Sequence, residues 1–83
     1  MKELKEILYK VKISKVIGPT SISISKLCID SREIQANDLF IAIKGNIIDG
    51  HEFIANAIKL GAKSIICESI PSDIQNGITY LEV

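Results

Sequence analysis

Leu39-Phe40-Ile41-Ala42-Ile43, then Asp49-Gly50-His51-Glu52-Phe53-Ile54-Ala55-Asn56-Ala57-Ile58-Lys59-Leu60-Gly61, then Ser64-Ile65-Ile66-Cys67 is the stretch that decides the fold. Its first piece is a continuous apolar run between polar residues, as a strand covered on both faces requires. In the second, Phe53, Ile54, Ala57 and Ile58 recur at helical spacing and line one face. Asp49 with Glu52 three positions on has the form of a capping box, and Gly61 stands where a left-handed carboxyl-terminal cap is needed. The third piece is again short, apolar and strand-like. Together they predict a right-handed βαβ unit with parallel strands.

Outward from this unit, Leu27-Cys28-Ile29 and Thr79-Tyr80-Leu81-Glu82-Val83 have strand character. Ser21-Ile22-Ser23-Ile24-Ser25 alternates as a half-buried strand does. Leu4, Ile7, Leu8 and Val11 fall on one helical face, supported by a Glu6–Lys10 pair in the favourable orientation. Gly18-Pro19 and the polar segment 71–77 punctuate the chain. The predicted class is α/β, a small single sheet with at least one parallel βαβ unit and flanking helices. Residues 1–83 read as one domain, and an apparent strand stopping at Val83 reads as a piece of a longer protein.

An apolar content of 47%, with 18 isoleucines among 83 residues, is enough to build a core. Ten Lys+Arg balance ten Asp+Glu, so no net field draws nucleic acid or an anionic membrane. No apolar run approaches the length of a membrane span, and Met1-Lys2-Glu3-Leu4-Lys5-Glu6 does not open a signal peptide. A cytoplasmic location is the expectation. Cys28 and Cys67 share no CxxC spacing and have only His51 for company, so they read as reduced, buried small hydrophobes rather than metal ligands.

Two segments have the chemistry of a site. Asp30-Ser31-Arg32 follows an apolar pair at a strand end, where a hydroxyl, a cation and a carboxylate suit a phosphate or sugar. The same string equally serves as a turn shaped by Asp30 and Ser31, with Arg32 in solvent. Lys44–His51 is a loop between a buried strand and a helix start, the place where open α/β sheets bind ligands and exposed peptide N–H groups hold anions. Gly45 and Gly50 permit close backbone approach there, though an ordinary βα connection with Asp49 as a cap fits as well. GxxxxGK[ST] and GxGxxG are both absent. His51 at the helix start has no nucleophile at motif spacing and no companion ligand, and no catalytic set can be assembled from the other residues. The residues describe a chain that binds rather than one that catalyses, and no metal site.

Taken in order, Ile29-Asp30-Ser31-Arg32, Asn37 through Gly45, Asp49-Gly50-His51-Glu52-Phe53-Ile54 and Ala57-Ile58-Lys59-Leu60-Gly61-Ala62 resemble the amino-terminal domain of the Mur ligases of peptidoglycan synthesis. Within the family the nearest branch is the ligases that add the third stem-peptide residue, diaminopimelate or lysine, to UDP-N-acetylmuramoyl-L-alanyl-D-glutamate. The resemblance implies a cytoplasmic, three-domain, ATP-dependent enzyme. Its first domain holds the UDP end of the substrate, its central domain carries ATP and Mg2+, and its last domain brings the amino acid. The carboxylate is activated as an acyl phosphate and attacked by the amine. This chain would hold no cofactor itself, and its partners would be that substrate and the two missing domains.

By the family pattern Ile29, Ser31, Asn46, Ile47 and Ile48 contact the UDP portion, while Asp30, Arg32, Gly45, Asp49 and His51 support them. Two departures stand out. Ala36-Asn37 replaces the family's frequent Pro-Gly, and asparagine tolerates the left-handed turn that glycine would make. Ile47 and Ile48 replace polar side chains, so contact there falls to peptide groups or to packing on the uracil ring. The alternatives are the related ligase that adds D-Ala-D-Ala, and a non-enzymatic protein-interaction module of the same fold.

Overall fold

The computed structural model describes residues 2–9, 12–42 and 50–83. Along these, β1 (Lys2–Glu3) leads into α1 (Leu4–Ile7), followed by β2 (Lys15–Ile17), β3 (Ser23–Ile24), β4 (Leu27–Cys28), β5 (Leu39–Ile41), α2 (Ile54–Leu60), β6 (Ser64–Cys67) and β7 (Thr79–Glu82). Short 3-10 turns occupy Ser31–Glu33 and Gly50–Phe53. Five strands form one sheet in the order β2-β7-β6-β5-β4. Strands β4, β5, β6 and β7 run parallel, and β2 closes the far edge antiparallel to β7. β5 and β6 pair with Leu39 opposite Ser64 and Ile41 opposite Ile66, so the predicted βαβ unit is present with parallel strands.

Successive residues of the central strands enter different cores. Phe40, Ile65, Cys67 and Tyr80 pack on the α2 face with Ile54, Ala57 and Ala62. Leu39 and Leu81 turn to the other face, where Leu4, Leu8 and Ile24 cover them. This two-sided burial is why Leu39–Ala42 is apolar without alternation, and each fully buried large side chain contributes about 1.5–3 kcal/mol. α2 ends as predicted. Gly61 has φ +122°, its N–H donates to Ile58 O, and Ala62 N–H donates to Ala57 O, the paired bonds of a Schellman closure.

Several expectations need correction. The first helix is a single turn, and the N–H groups of Leu4 and Lys5, which no helix bonds internally, are taken by Ile22 O and Thr20 O beside a small β1–β3 ladder. Leu4 and Leu8 are nevertheless buried as the spacing implied, whereas Lys10 and Val11 lie outside the described residues. The sheet is thus accompanied by a second, two-stranded ladder. Of Ser21–Ser25 only Ser23–Ile24 is strand, although Ile24 is buried and the serines are exposed. β2 has no counterpart in the sequence pattern, being an edge strand with Lys15 and Val16 in solvent. The α-helix proper starts at Ile54, one turn later than the capping-box reading, and Phe53 caps it without a side-chain bond. Phe53 is 38% exposed and does not belong to the buried face.

Candidate functional site

Because β4, β5, β6 and β7 are parallel, their carboxyl ends open on one edge of the sheet. After β4, Ile29 stands 68% exposed and the chain turns through Ser31–Glu33. Asp30 Oδ1 accepts from Arg32 N at 3.0 Å and from Arg32 Nε at 3.0 Å, while Oδ2 accepts from Nη2 at 2.8 Å. The side-chain and backbone bonds from Arg32 hold the Asp30 carboxyl at about 2, below the usual carboxylate range, and Asp30 in turn raises Arg32. Asp30 therefore shapes the turn, and Arg32 is its clamp rather than a free solvated cation. Arg32 is largely in solvent and Asp30 partly so, and the pair sets geometry more than it adds stability. Ser31, between them, is buried at 6% exposure.

Beyond β5, the site residues Gly45, Asn46, Ile47, Ile48 and Asp49 lie outside the described residues. His51 lies within them. Its Nε2 accepts from the N–H groups of Glu68 and Ser69 at 3.0 and 3.3 Å, which puts the ring proton on Nδ1. The imidazole ties the approach to α2 to the carboxyl end of β6. A cleft of about 460 Å3 adjoins it, lined by Ile54, Ser69, Ile70 and Ser72 among others.

One cluster leaves no trace in the sequence pattern. Asp38, fully buried at the start of β5, accepts at Oδ2 from Lys26 Nζ at 2.6 Å and from Gln35 N at 2.8 Å. Lys26 Nζ also donates to Glu33 O at 3.1 Å, and its pKa is raised, chiefly by the hydrogen bond to Asp38. Oδ1 of Asp38 has no partner among the described residues. The preceding Asn37 has φ +68°, so asparagine does make the left-handed turn expected of it. A shallow groove of about 550 Å3 runs beside this cluster, past Lys26, Leu27, Ile29 and Glu33.

Cys28 and Cys67 are both free and buried. Burial, with the Glu82 carboxylate behind it, pushes the Cys67 thiol from 9.0 up to about 11. The unfolded chain therefore loses this proton first as pH rises, and stability is expected to fall between about pH 9 and 11. Two pK units correspond to on the order of 2–3 kcal/mol. Urea titrations at about pH 8 and pH 11 on wild type and Cys67→Ala check this. An equal alkaline loss in both proteins would refute the assignment to Cys67.

Among the described residues no group of three His, Cys, Asp or Glu side chains could hold a metal ion, and no helix is long and apolar enough to cross a membrane. The sequence contains no GxxxxGK[ST] phosphate loop.

Known proteins bear on this edge. A family model described as "Mur ligase family, catalytic domain" matches residues 23–80. The UDP-N-acetylmuramoyl-L-alanyl-D-glutamate--2,6-diaminopimelate ligase of Bacteroides fragilis is 40% identical over 98% of the chain and 17% of its own length. The ligase of the same name from Bacteroides thetaiotaomicron is 42% identical over 96% of the chain and 17% of its own length. Among solved structures, the UDP-N-acetylmuramoylalanyl-D-glutamyl-2,6-diaminopimelate--D-alanyl-D-alanyl ligase of Acinetobacter baumannii superposes with TM-score 0.61 and 33% identity, over 72% of this chain and 13% of that one. The MurF ligase from Thermotoga maritima in complex with ADP gives TM-score 0.57 and 36% identity, over 64% and 12%. The chain thus spans about a sixth of the length of the curated relatives it matches.

Proposed function

The chain belongs to the Mur ligase family, and on that premise we propose that residues 1–83 are the substrate-anchoring, amino-terminal domain of a longer ligase. Its ligand is the UDP portion of UDP-N-acetylmuramoyl-L-alanyl-D-glutamate. The observation that carries the reading is Ser31, a residue only 6% exposed that the Asp30–Arg32 clamp holds at the carboxyl end of an edge strand. A hydroxyl held on a clamped turn is suited to a phosphate or ribose oxygen. Ile29, exposed beside it, offers an apolar face for the uracil ring, and Asn46, Ile47 and Ile48 supply contacts from the next strand end. Asp30, Arg32, Gly45, Asp49 and His51 hold these groups in place.

The family description names a catalytic domain, yet the residues here form no catalytic set. The role we assign is positional: the substrate is gripped by its nucleotide so that its distant carboxylate meets ATP and the incoming amine elsewhere in the parent chain. ATP supplies carboxylate activation there, with Mg2+, on residues this chain does not contain. The relatives named for diaminopimelate addition match over almost the whole chain at up to 42% identity. This favours the branch that adds diaminopimelate over the one that adds D-alanyl-D-alanine. Two reduced cysteines accord with the cytoplasm as the place of work.

Amide shifts followed during titration with UDP-N-acetylmuramoyl-L-alanyl-D-glutamate test the assignment. Saturable shifts are expected at Ile29–Arg32 and at residues 45–51. Ser31→Ala should weaken binding about 10-fold to 100-fold, the loss of one hydrogen bond to a charged group. Saturation confined to another face, or a Ser31→Ala protein that binds as wild type does, would overturn it.

A further inference from the structure

We propose that the Lys26–Asp38 pair is a positioning device for the Ser31 turn, setting substrate affinity through the placement of that hydroxyl; the inference rests on the anchoring role proposed above. The turn is clamped at its start by Asp30, which caps Arg32 N and grips the guanidinium. Its far end has a different fastening. Lys26 Nζ bridges the Glu33 carbonyl, which ends the 3-10 turn, to the buried Asp38 carboxylate, and the same Oδ2 takes the N–H of Gln35. Three hydrogen bonds therefore tie the exit of the turn to the root of β5, which is itself paired with β4 through Leu27–Leu39 and Cys28–Phe40.

The arrangement suits positioning because each partner has a distinct task. An ammonium is a compact donor that serves two oxygens at once, and Asp38 gives it a fixed, fully buried anchor. Lys26 lies on the sheet edge with its side chain 45% exposed, so its loss opens no cavity. Losing it frees the Glu33 carbonyl and leaves the Asp38 carboxylate with the Gln35 N–H as its one partner among the described residues. The turn would then be held by Asp30, whose carbonyl also accepts the Glu33 N–H, and by the burial of Ile34, while the Glu33 carbonyl loses its tie to β5. A hydroxyl that must meet a ligand oxygen within hydrogen-bond distance does not survive a displacement of about 1 Å without loss.

The test is a double-mutant cycle in the full-length ligase, with calorimetric binding of UDP-N-acetylmuramoyl-L-alanyl-D-glutamate as readout and thermal melting as the check on folding. Lys26→Met should raise Kd about 5-fold to 20-fold in the wild-type background and less than about twofold in the Ser31→Ala background, because the hydroxyl it positions is then gone. Lys26→Arg keeps the charge against Asp38 and should fall between Met and wild type, which preserves the test should Lys26→Met fail to fold. Wild-type affinity in both Lys26 variants, or an equal penalty in the two backgrounds, would overturn the positioning role while leaving the anchoring reading intact. A wild-type ligase whose Ser31→Ala variant binds unchanged would overturn both.

Discussion

Phe40→Ala is expected to cost about 3–5 kcal/mol, the usual result of truncating a buried aromatic side chain. A domain of this length has a total stability on the order of 4–12 kcal/mol, so the variant should be largely unfolded or close to it. Phe40 is 1% exposed and lies on β5, opposite Ile65 on one side and Cys28 on the other. Its ring belongs to the core that α2 closes, with Tyr80, Ile54 and Ala57. The effect reaches the candidate site, because β4, which launches the Ile29–Arg32 turn, is fastened to the sheet through the Cys28–Phe40 pair. Phe53, 38% exposed at the helix start, is the internal comparison and should cost far less on the same truncation. Urea midpoints of the two variants decide the matter. A Phe40→Ala loss no larger than that of Phe53→Ala would mean that the α2-side core is not the main source of stability.

The same contrast shows what the sequence could convey. Strands Leu39–Ile41 and Ser64–Cys67 and helix Ile54–Leu60 were legible because strand burial on two faces, a helical stripe and a glycine stop each leave a local pattern, and all three agree. Asn37 was legible through the family resemblance, which puts a glycine there, and asparagine tolerates the same left-handed turn. Phe53 failed because helical spacing does not reveal that a 3-10 turn precedes the α-helix and rotates the residue off the buried face. β2 failed because an edge strand owes its existence to β7, near the opposite end of the sequence, and not to its own residues. At the site, strand logic located Asp30, Ser31 and Arg32 at a carboxyl edge, and the structure brings His51 to the β6 end of that edge. Lys26 and Asp38 passed unnoticed since a lysine and an aspartate 12 residues apart carry no signal until the sheet brings them together.

Gly61→Val should be comparably damaging, at about 2–6 kcal/mol. Two costs add. The backbone there has φ +122°, a region closed to β-branched residues, which accounts for about 1–3 kcal/mol. A Cβ would also sit 2.9 Å from Ala36 Cα and 3.1 Å from Ala36 N, both backbone atoms that cannot swing aside. Overpacking of this kind adds about 1–3 kcal/mol. The position matters beyond α2, because Gly61 O accepts the Asn37 N–H and so seats the turn that delivers Asp38 to Lys26. Gly77→Val separates the two costs. Gly77 has φ +83°, but a Cβ on it would meet nothing within 4 Å, so it should show conformational strain alone. Urea denaturation of both variants should therefore place Gly61→Val well below Gly77→Val. Equal losses would show that backbone conformation, and not the close approach of α2 to residues 35–37, is what demands glycine at the end of the helix.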